Sequence, residues 1–176
     1  MKKVFYLILT IAVLSTVFAF TLPTTWKIAD KFNINFATTG VSGIFKTFTG
    51  NVVFDEQNPA TSKFDISIDI LSINTGNGMQ NKHAKSAEWF DASRYPVIKF
   101  TSKKIVKTGV GYTAIGDLQL HGISREVSLP FTFKRGGNGG TFEGAFNINR
   151  NDFKIGEPGG EVGEVIKVNV SVPVVK

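Results

Sequence analysis

Apolar and polar residues alternate with a period of two along most of the chain after residue 24. The alternation is clearest in residues 64–70, 127–133, 142–148 and 166–172. A period of two places successive side chains on opposite faces of an extended strand, so each stretch predicts a strand with one dry face and one wet face. The pattern predicts further strands at residues 26–30, 34–38, 51–55, 97–107 and 112–120.

Short glycine-containing segments separate several of these strands. Residues 107–109 read Lys-Thr-Gly, and residues 136–140 read Gly-Gly-Asn-Gly-Gly. Both have the chemistry of tight turns between antiparallel strands. Strands joined in sequence by short turns predict an up-and-down antiparallel order.

One segment, residues 77–91, breaks the alternation. Ala84, Ala87 and Phe90 recur three residues apart, with helix-tolerant Gln, Lys and Glu residues among them. This spacing predicts a short helix from about Asn81 to Phe90, before Pro96 begins the next strand.

The predicted fold class is therefore all-β, with about eight one-sided strands that must hide their dry faces from water. They can pack as two sheets or close into a barrel, and a barrel also removes exposed strand edges. An eight-stranded barrel is just wide enough to be filled by its own side chains or to hold one slender ligand. The pattern alone leaves the filled and hollow interiors open.

The first nineteen residues differ from the rest of the chain. Lys2 and Lys3 precede an almost unbroken apolar run over residues 4–17, and Ala19 ends a segment suited to signal-peptidase cleavage. We expect residues 1–19 to be a cleaved signal peptide and residues 20–176 to form a single domain, periplasmic or secreted. A retained membrane anchor is the alternative, but the run is short for the roughly 17 to 25 residues of a spanning helix.

Charge and cysteine content narrow the class of protein further. The formal net charge is +6, and removal of Lys2 and Lys3 lowers it to +4. The basic residues are scattered rather than gathered in a stripe, so we expect no nucleic-acid partner. The chain has no cysteine, so the core must provide stability without disulfides, and an N-terminal lipidated cysteine cannot attach the protein to a membrane.

The sequence carries no recognisable catalytic or metal-binding motif. His83 and His121 have no cysteine to accompany them, and neither a G-x-S-x-G elbow nor a phosphate-binding loop is present. We expect no metal, no cofactor and no enzymatic activity. An enzyme acting on a lipid, with His83 or His121 as its base, is kept as a weaker alternative.

Sixteen phenylalanines remain to be explained. Plain core packing accounts for many, but inward-facing Phe, Ile and Val residues in a small barrel would also line a long dry lumen. Burial of a long hydrocarbon chain there, at roughly 0.8 kcal/mol per methylene, would exceed the cost of association. The predicted lumen residues are Ile34, Phe36, Phe64, Ile66, Ile68, Phe100, Leu118, Leu129, Phe131, Phe133, Phe142, Phe146, Val168 and Val170.

An ordered set of short motifs resembles the YceI-like family. The motifs extend over nearly the whole chain after residue 25, and their order is more specific than any one of them. They are Trp26 to Asp30, Gly43-Ile44-Phe45 with Phe48-Thr49-Gly50, Ser72 to Asn77, His83 to Ser86 with Trp89-Phe90-Asp91, Tyr95 to Phe100, Gly116 to Leu118 with His121 to Arg125, and Asn149 to Phe153.

The resemblance implies an extended eight-stranded antiparallel barrel, lipocalin-like, with a short helix near its mouth. It further implies that the lumen holds a long-chain isoprenoid, a quinone-like molecule or a fatty acyl lipid, without stable membrane insertion. His83, Trp89 and Arg150 would lie at the mouth near the ligand's headgroup. Ser72, Asn74, His121 and Arg125 would then serve as framework or mouth hydrogen-bonding groups.

The chain departs from the family pattern in two places. Gln80 and Asn81 stand where many members have Arg-Asp, and Lys154 stands where many have glycine. The first change removes a charged pair from the expected mouth, which leaves the headgroup preference open. A structural or adhesive envelope module with a filled core is the alternative function.

Overall fold

The computed structural model describes residues 23–176, and these residues form one antiparallel sheet that closes on itself. The predicted signal peptide, residues 1–19, lies outside the described residues. The strands are β1 (Thr24–Ile28), β2 (Asn33–Thr38), β3 (Val41–Phe45), β4 (Phe48–Phe54), β5 (Lys63–Asp69), β6 (Ile73–Asn74), β7 (Val97–Thr108), β8 (Gly111–Leu120), β9 (Ile123–Gly136), β10 (Gly139–Asn149) and β11 (Val165–Val175).

Six of these strands, β1 to β6, lie two to a position, one beyond the other along the barrel wall. The other five occupy one position each, so the wall has eight strand positions. β1 and β2 both lie along β11, with Ile28 opposite Val174 and Asn33 opposite Ser171. β4 pairs with β1 and β5, while β3 pairs with β2 and β6. The positions therefore follow chain order: β1/β2, β3/β4, β5/β6, then β7 to β11.

Pairing of β1 with β11 closes the ring, because it joins the first strand position to the last. The predicted closed, eight-stranded antiparallel barrel is confirmed, and so is its up-and-down order. Closure satisfies the backbone groups that an open sheet would leave at its edges.

One α-helix, α1 (Gly78–Ala84), lies in the connection between β6 and β7, so the predicted short helix is confirmed with shifted bounds. It begins earlier than expected because Asn77 caps it, its side chain accepting hydrogen bonds from the N–H groups of Met79 and Gln80. It ends at Ala84 because the following segment turns back: the N–H of Phe90 donates to the carbonyl of Ala84. No helix of the described residues is long and apolar enough to cross a membrane.

Strand β3 was not predicted from the alternation, because Gly43 interrupts its apolar face. A Cβ at Gly43 would lie 2.7 Å from both the ring of Phe36 and the carbonyl oxygen of Asn74. Glycine therefore lets β2 and β6 approach β3 closely, and the same residue weakens the hydrophobic signal in the sequence.

A bulge in β7 explains the adjacent lysines Lys103 and Lys104, which are both exposed. The register with β8 shifts between Ser102 and Lys104, so the residues after the bulge change face and Ile105 is buried. Lys103 then bridges Asp117 at 2.7 Å and Glu126 at 3.0 Å on the outer surface.

Candidate functional site

The barrel encloses an apolar cavity of about 650 Å³. Its wall consists mainly of the inward-facing Phe, Ile, Leu and Val side chains that the period-two pattern places on the dry face. This volume falls within the range of roughly 300 to 1,000 Å³ that is usual for small-molecule sites. The lumen is therefore hollow over part of its length.

Thirteen of the fourteen predicted lumen residues lie on the cavity wall. They are Ile34, Phe36, Phe64, Ile66, Ile68, Phe100, Leu118, Leu129, Phe131, Phe142, Phe146, Val168 and Val170. Phe133 is the exception, because it lies beyond the cavity and packs against Trp26, Phe54 and Phe142. Contact of the thirteen with a ligand stays a prediction.

Sequence reasoning missed several further wall residues. Ile98, Ile148, Ile166 and Val172 also line the cavity, and extension of the same alternation along each strand could have found them. Ala114 lines it as well, but a lone alanine gives little hydrophobic signal.

One end of the cavity is closed by aromatic rings. Phe64, Phe131 and Phe142 contact one another, with ring centroids 5.3 to 5.8 Å apart. Phe54, only 1% exposed, lies behind them and contacts all three, as well as Phe133. We call this group of five rings the aromatic floor.

The outer side of the aromatic floor is sealed by Trp26 and by cations at the surface. The indole N–H of Trp26 donates to the carbonyl of Phe54 at 3.1 Å. The guanidinium of Arg135 lies 5.4 Å from the Trp26 ring and forms an ion pair with Glu56. This end of the barrel is therefore packed from the floor to the surface.

Tyr112 lies beside the aromatic floor, 5.0 Å from Phe54 between ring centroids. Its hydroxyl donates to the carbonyl of Glu56 at 3.3 Å. Burial raises the pKa of the Tyr112 hydroxyl above its ordinary value of 10, and the nearby charges of Glu56 and Asp55 raise it further.

The opposite end of the barrel is the mouth, and a segment crosses it. Residues 155–163, which we call the strap, lie in the connection between β10 and β11. At one end of the strap the N–H of Gly156 donates to the carbonyl of Glu88, and at the other the N–H of Gly163 donates to the carbonyl of Thr39. Glu157 and Glu161 of the strap are exposed and also line the cavity, so the cavity reaches the surface here.

Arg150 fastens the strap through hydrogen bonds to its carbonyl groups. Its side chain is 3% exposed, and its five N–H groups donate to the carbonyls of Ile155, Glu157, Val162 and Gly163 and to the side chain of Asn151. Its guanidinium also lies 5.4 Å from the Trp89 ring. Arg150 lies at the predicted mouth, but every N–H is already in use, so we assign it a positioning role rather than direct hydrogen bonding to a headgroup.

His83 and Trp89, the other predicted mouth residues, contact each other beside the strap. The indole N–H of Trp89 donates to Nε2 of His83 at 2.9 Å. Oε2 of Glu88 lies 3.1 Å from the same Nε2, so His83 contacts both Trp89 and Glu88 at the rim. Trp89 also packs on Gly156, where a Cβ would lie 3.0 Å from the indole.

The rim of the cavity carries more negative than positive charge. Glu88, Glu157 and Glu161 line it, against the single guanidinium of Arg150, and no lysine of the described residues does so. Gln80 lines the rim too, where the family pattern often has arginine. Asn81 stands where the family pattern often has aspartate. Its Oδ1 accepts a hydrogen bond from the N–H of Thr75 at 2.8 Å and so supports the framework.

Other polar residues of the motif set support the framework. Nδ1 of His121 donates to the carbonyl of Phe153 at 3.0 Å, as expected for a turn histidine, and His121 does not line the cavity. Arg125 donates to the carbonyl of Asp152, and the Ser72 hydroxyl to that of Asp69. Asn74 accepts from the N–H of Gly76.

Lys154 has a left-handed backbone, with φ of 53°. Glycine adopts this conformation most readily, which explains why glycine suits this position in the family pattern. Among the residues described, no group of three His, Cys, Asp or Glu side chains is placed to hold a metal ion.

An eight-stranded antiparallel barrel with an apolar cavity reaching the surface at one end has the architecture of a lipocalin-like barrel. The chain belongs to the YceI-like family: the model described as YceI-like domain matches residues 21–174. The resemblance found in the motifs is thereby confirmed.

Individual relatives agree with this assignment. The protein YceI of Escherichia coli O157:H7 is 33% identical over 140 residues, which cover 74% of this chain and 71% of that protein. The chain spans 45% of the length of the UPF0312 protein plu2095 of Photorhabdus laumondii, to which it is 42% identical, and 71% of the UPF0312 protein YE1254 of Yersinia enterocolitica, to which it is 34% identical.

Solved structures share the fold. The crystal structure of Burkholderia cenocepacia BcnA is 27% identical, with a TM-score of 0.78 over 81% of this chain and 96% of that one. A polyisoprenoid binding domain from Saccharophagus degradans is 15% identical, with a TM-score of 0.64 over 88% and 99% of the two chains. At that identity the second likeness supports the fold alone.

Proposed function

We propose that this is an exported lipid-binding protein, periplasmic or secreted, that holds a long-chain isoprenoid or similar amphiphile for transport, storage or sequestration. The cavity is the observation that carries the proposal, because an apolar space of about 650 Å³ enclosed by a barrel suits a hydrocarbon chain. The apolar run and cleavage-like segment of residues 1–19 support export.

Burial of apolar surface is by itself enough to retain a long-chain ligand. Each methylene transferred from water to the cavity contributes roughly 0.8 kcal/mol, so about five methylenes offset the lower end and about nineteen the upper end of an association cost of about 4 to 15 kcal/mol. Long chains are therefore favoured over short ones, and the wall needs no reactive group to retain them.

The headgroup would stay at the mouth, among the only charged side chains that line the cavity in the described part of the chain. Glu88, Glu157 and Glu161 would repel an anionic headgroup, while Arg150 has no N–H free to bind one. Neutral headgroups such as an alcohol or amide therefore suit this rim better than a phosphate.

Native mass spectrometry and organic extraction of the purified protein test the proposal, together with titration by farnesol and farnesyl phosphate. We expect a long-chain molecule to be retained or taken up, with farnesol favoured. A matched pair of variants locates the site: Phe146→Ser changes the cavity wall, whereas Ala145→Ser changes the exposed face of the same strand. Only Phe146→Ser should weaken binding, and a protein that retains no long-chain molecule and takes up neither probe would contradict the proposal.

A further inference from the structure

The strongest unexplained feature is the aromatic floor, which divides the barrel into a hollow half and a filled half. Phe64 lies on β5 and Phe142 on β10, four positions apart around the eight-position ring. Strands four positions apart face each other across the lumen. The contact between these two rings, at 5.5 Å, therefore extends from wall to wall.

Phe131 completes this barrier, at 5.3 Å from Phe64 and 5.8 Å from Phe142. Behind the three rings Phe54 contacts each of them and does not line the cavity. A chain that enters at the mouth therefore meets rings in tilted and edge-to-face contact and has no continuous path to the far end.

We propose that the aromatic floor sets the maximum length of the chain that this protein can hold. The inference rests on the proposed lipid-binding function and deepens it. The cavity measures about 650 Å³. If each non-hydrogen atom of a ligand occupies about 30 Å³, the volume of a water molecule in the liquid, the cavity holds roughly twenty such atoms. The ligand class is therefore a single-chain amphiphile of about this size, such as a four-unit prenol or a common fatty acyl chain, and longer prenyl tails project from the mouth.

A prenol series tests the limit: geraniol, farnesol, geranylgeraniol and a nine-unit prenol, each competed against a bound fluorescent long-chain alcohol. Affinity should rise by roughly tenfold or more with each buried isoprene unit. It should level off at geranylgeraniol, since further units gain no buried surface. A rise that continues undiminished to the nine-unit prenol would overturn the inference.

Phe142→Ala and Phe146→Ala form a matched pair, because both remove the same atoms from the cavity-facing side of β10. Phe142 belongs to the floor, whereas Phe146 lies four residues nearer the mouth. Phe142→Ala should move the levelling point to a longer chain. Phe146→Ala should lower every affinity without moving that point, and equal shifts in the two variants would contradict a floor.

Ala114→Leu tests the limit in the opposite direction, because it makes the cavity smaller and removes no side chain from the core. Ala114 lines the cavity and is 2% exposed, so a larger side chain there fills space and should move the levelling point to farnesol. If Phe142→Ala does not fold, this variant alone decides. Failure of all prenols to bind would refute the proposed function, whereas binding without a levelling point would refute only the chain-length limit.

Discussion

The two halves of the barrel are built from the same alternating strands and end differently. In the half near the mouth, the inward side chains leave a cavity, and the polar groups of the strap and α1 cover its end. In the closed half, aromatic rings fill the lumen as far as the surface cations. Alternation fixes which face of a strand is dry, while side-chain size on facing strands decides whether the space between them is empty.

This division separates stability from binding. The closed half has the ring contacts and buried area of an ordinary core, so it can stabilise a barrel whose other half is hollow. Wall residues near the mouth face empty space and lose fewer contacts when truncated.

The largest expected effect is at the centre of the closed half. Phe54→Ala should destabilise the protein by about 3 to 5 kcal/mol, because Phe54 contacts five other aromatic rings and a cavity would remain. Urea denaturation of the purified variant measures the loss. Phe146→Ala is the control and should cost clearly less, since part of its surface already faces the cavity. Equal losses would show that the hollow half is packed as tightly as the floor.

A smaller effect is expected at the strap. Arg150→Lys should cost about 2 kcal/mol, because an ammonium group keeps the charge but cannot reproduce five N–H bonds in a planar fork. Hydrogen exchange should accelerate at the amides of Gly156 and Gly163, which fasten the strap to the neighbouring loops.

Arg125→Lys is the matched control for that variant. Arg125 is exposed and makes a single hydrogen bond, to the carbonyl of Asp152, so its replacement should change stability by less than about 0.5 kcal/mol. Unchanged exchange at Gly156 and Gly163 in Arg150→Lys would mean that charge, rather than directional hydrogen bonding, holds the strap.

The sequence predicted the residues of the hollow half better than it predicted the aromatic floor and the mouth at its two ends. Most strand positions, though not β3, and thirteen wall residues followed from alternation, because a half-buried strand repeats every two residues whatever its partners are. The position of Phe133 beyond the cavity did not follow. It lies two residues from Phe131 in the same alternation, and the two are distinguished only by their contacts in the folded barrel: Phe133 contacts Trp26, whereas Phe131 contacts Phe64.

The mouth was also only partly predictable. The family motifs indicated His83, Trp89 and Arg150, but the role of Arg150 depends on backbone carbonyl groups whose positions arise only in the fold. Glu157 and Glu161 lie in a glycine-rich segment without periodicity, so no pattern indicated that they reach the rim. Interruptions of the strands at Gly43 and Ser102 likewise reflect close approach and register, which arise only in the folded barrel.

The smallest expected effect concerns the pH dependence of the closed half. The pKa of Tyr112 is raised in the folded protein, first by burial and then by Glu56 and Asp55. The folded state therefore retains this proton at a pH where the unfolded chain has released it. The stabilising contribution is fully present below about pH 10, the ordinary pKa of tyrosine, and is lost as the pH rises through the higher folded value.

Tyr112→Phe should remove the part of the stability loss at alkaline pH that comes from this hydroxyl. The free energy of unfolding of the variant should therefore fall less steeply than that of the wild type between about pH 9 and pH 11. Tyr95→Phe, which removes a hydroxyl near His121 at the mouth end, controls for the loss of a tyrosine as such. Urea denaturation at several pH values gives the two slopes. If Tyr112→Phe and the wild type lose stability in parallel, the ring beside the aromatic floor titrates as it would in water, and the closed half is more hydrated than its ring packing indicates.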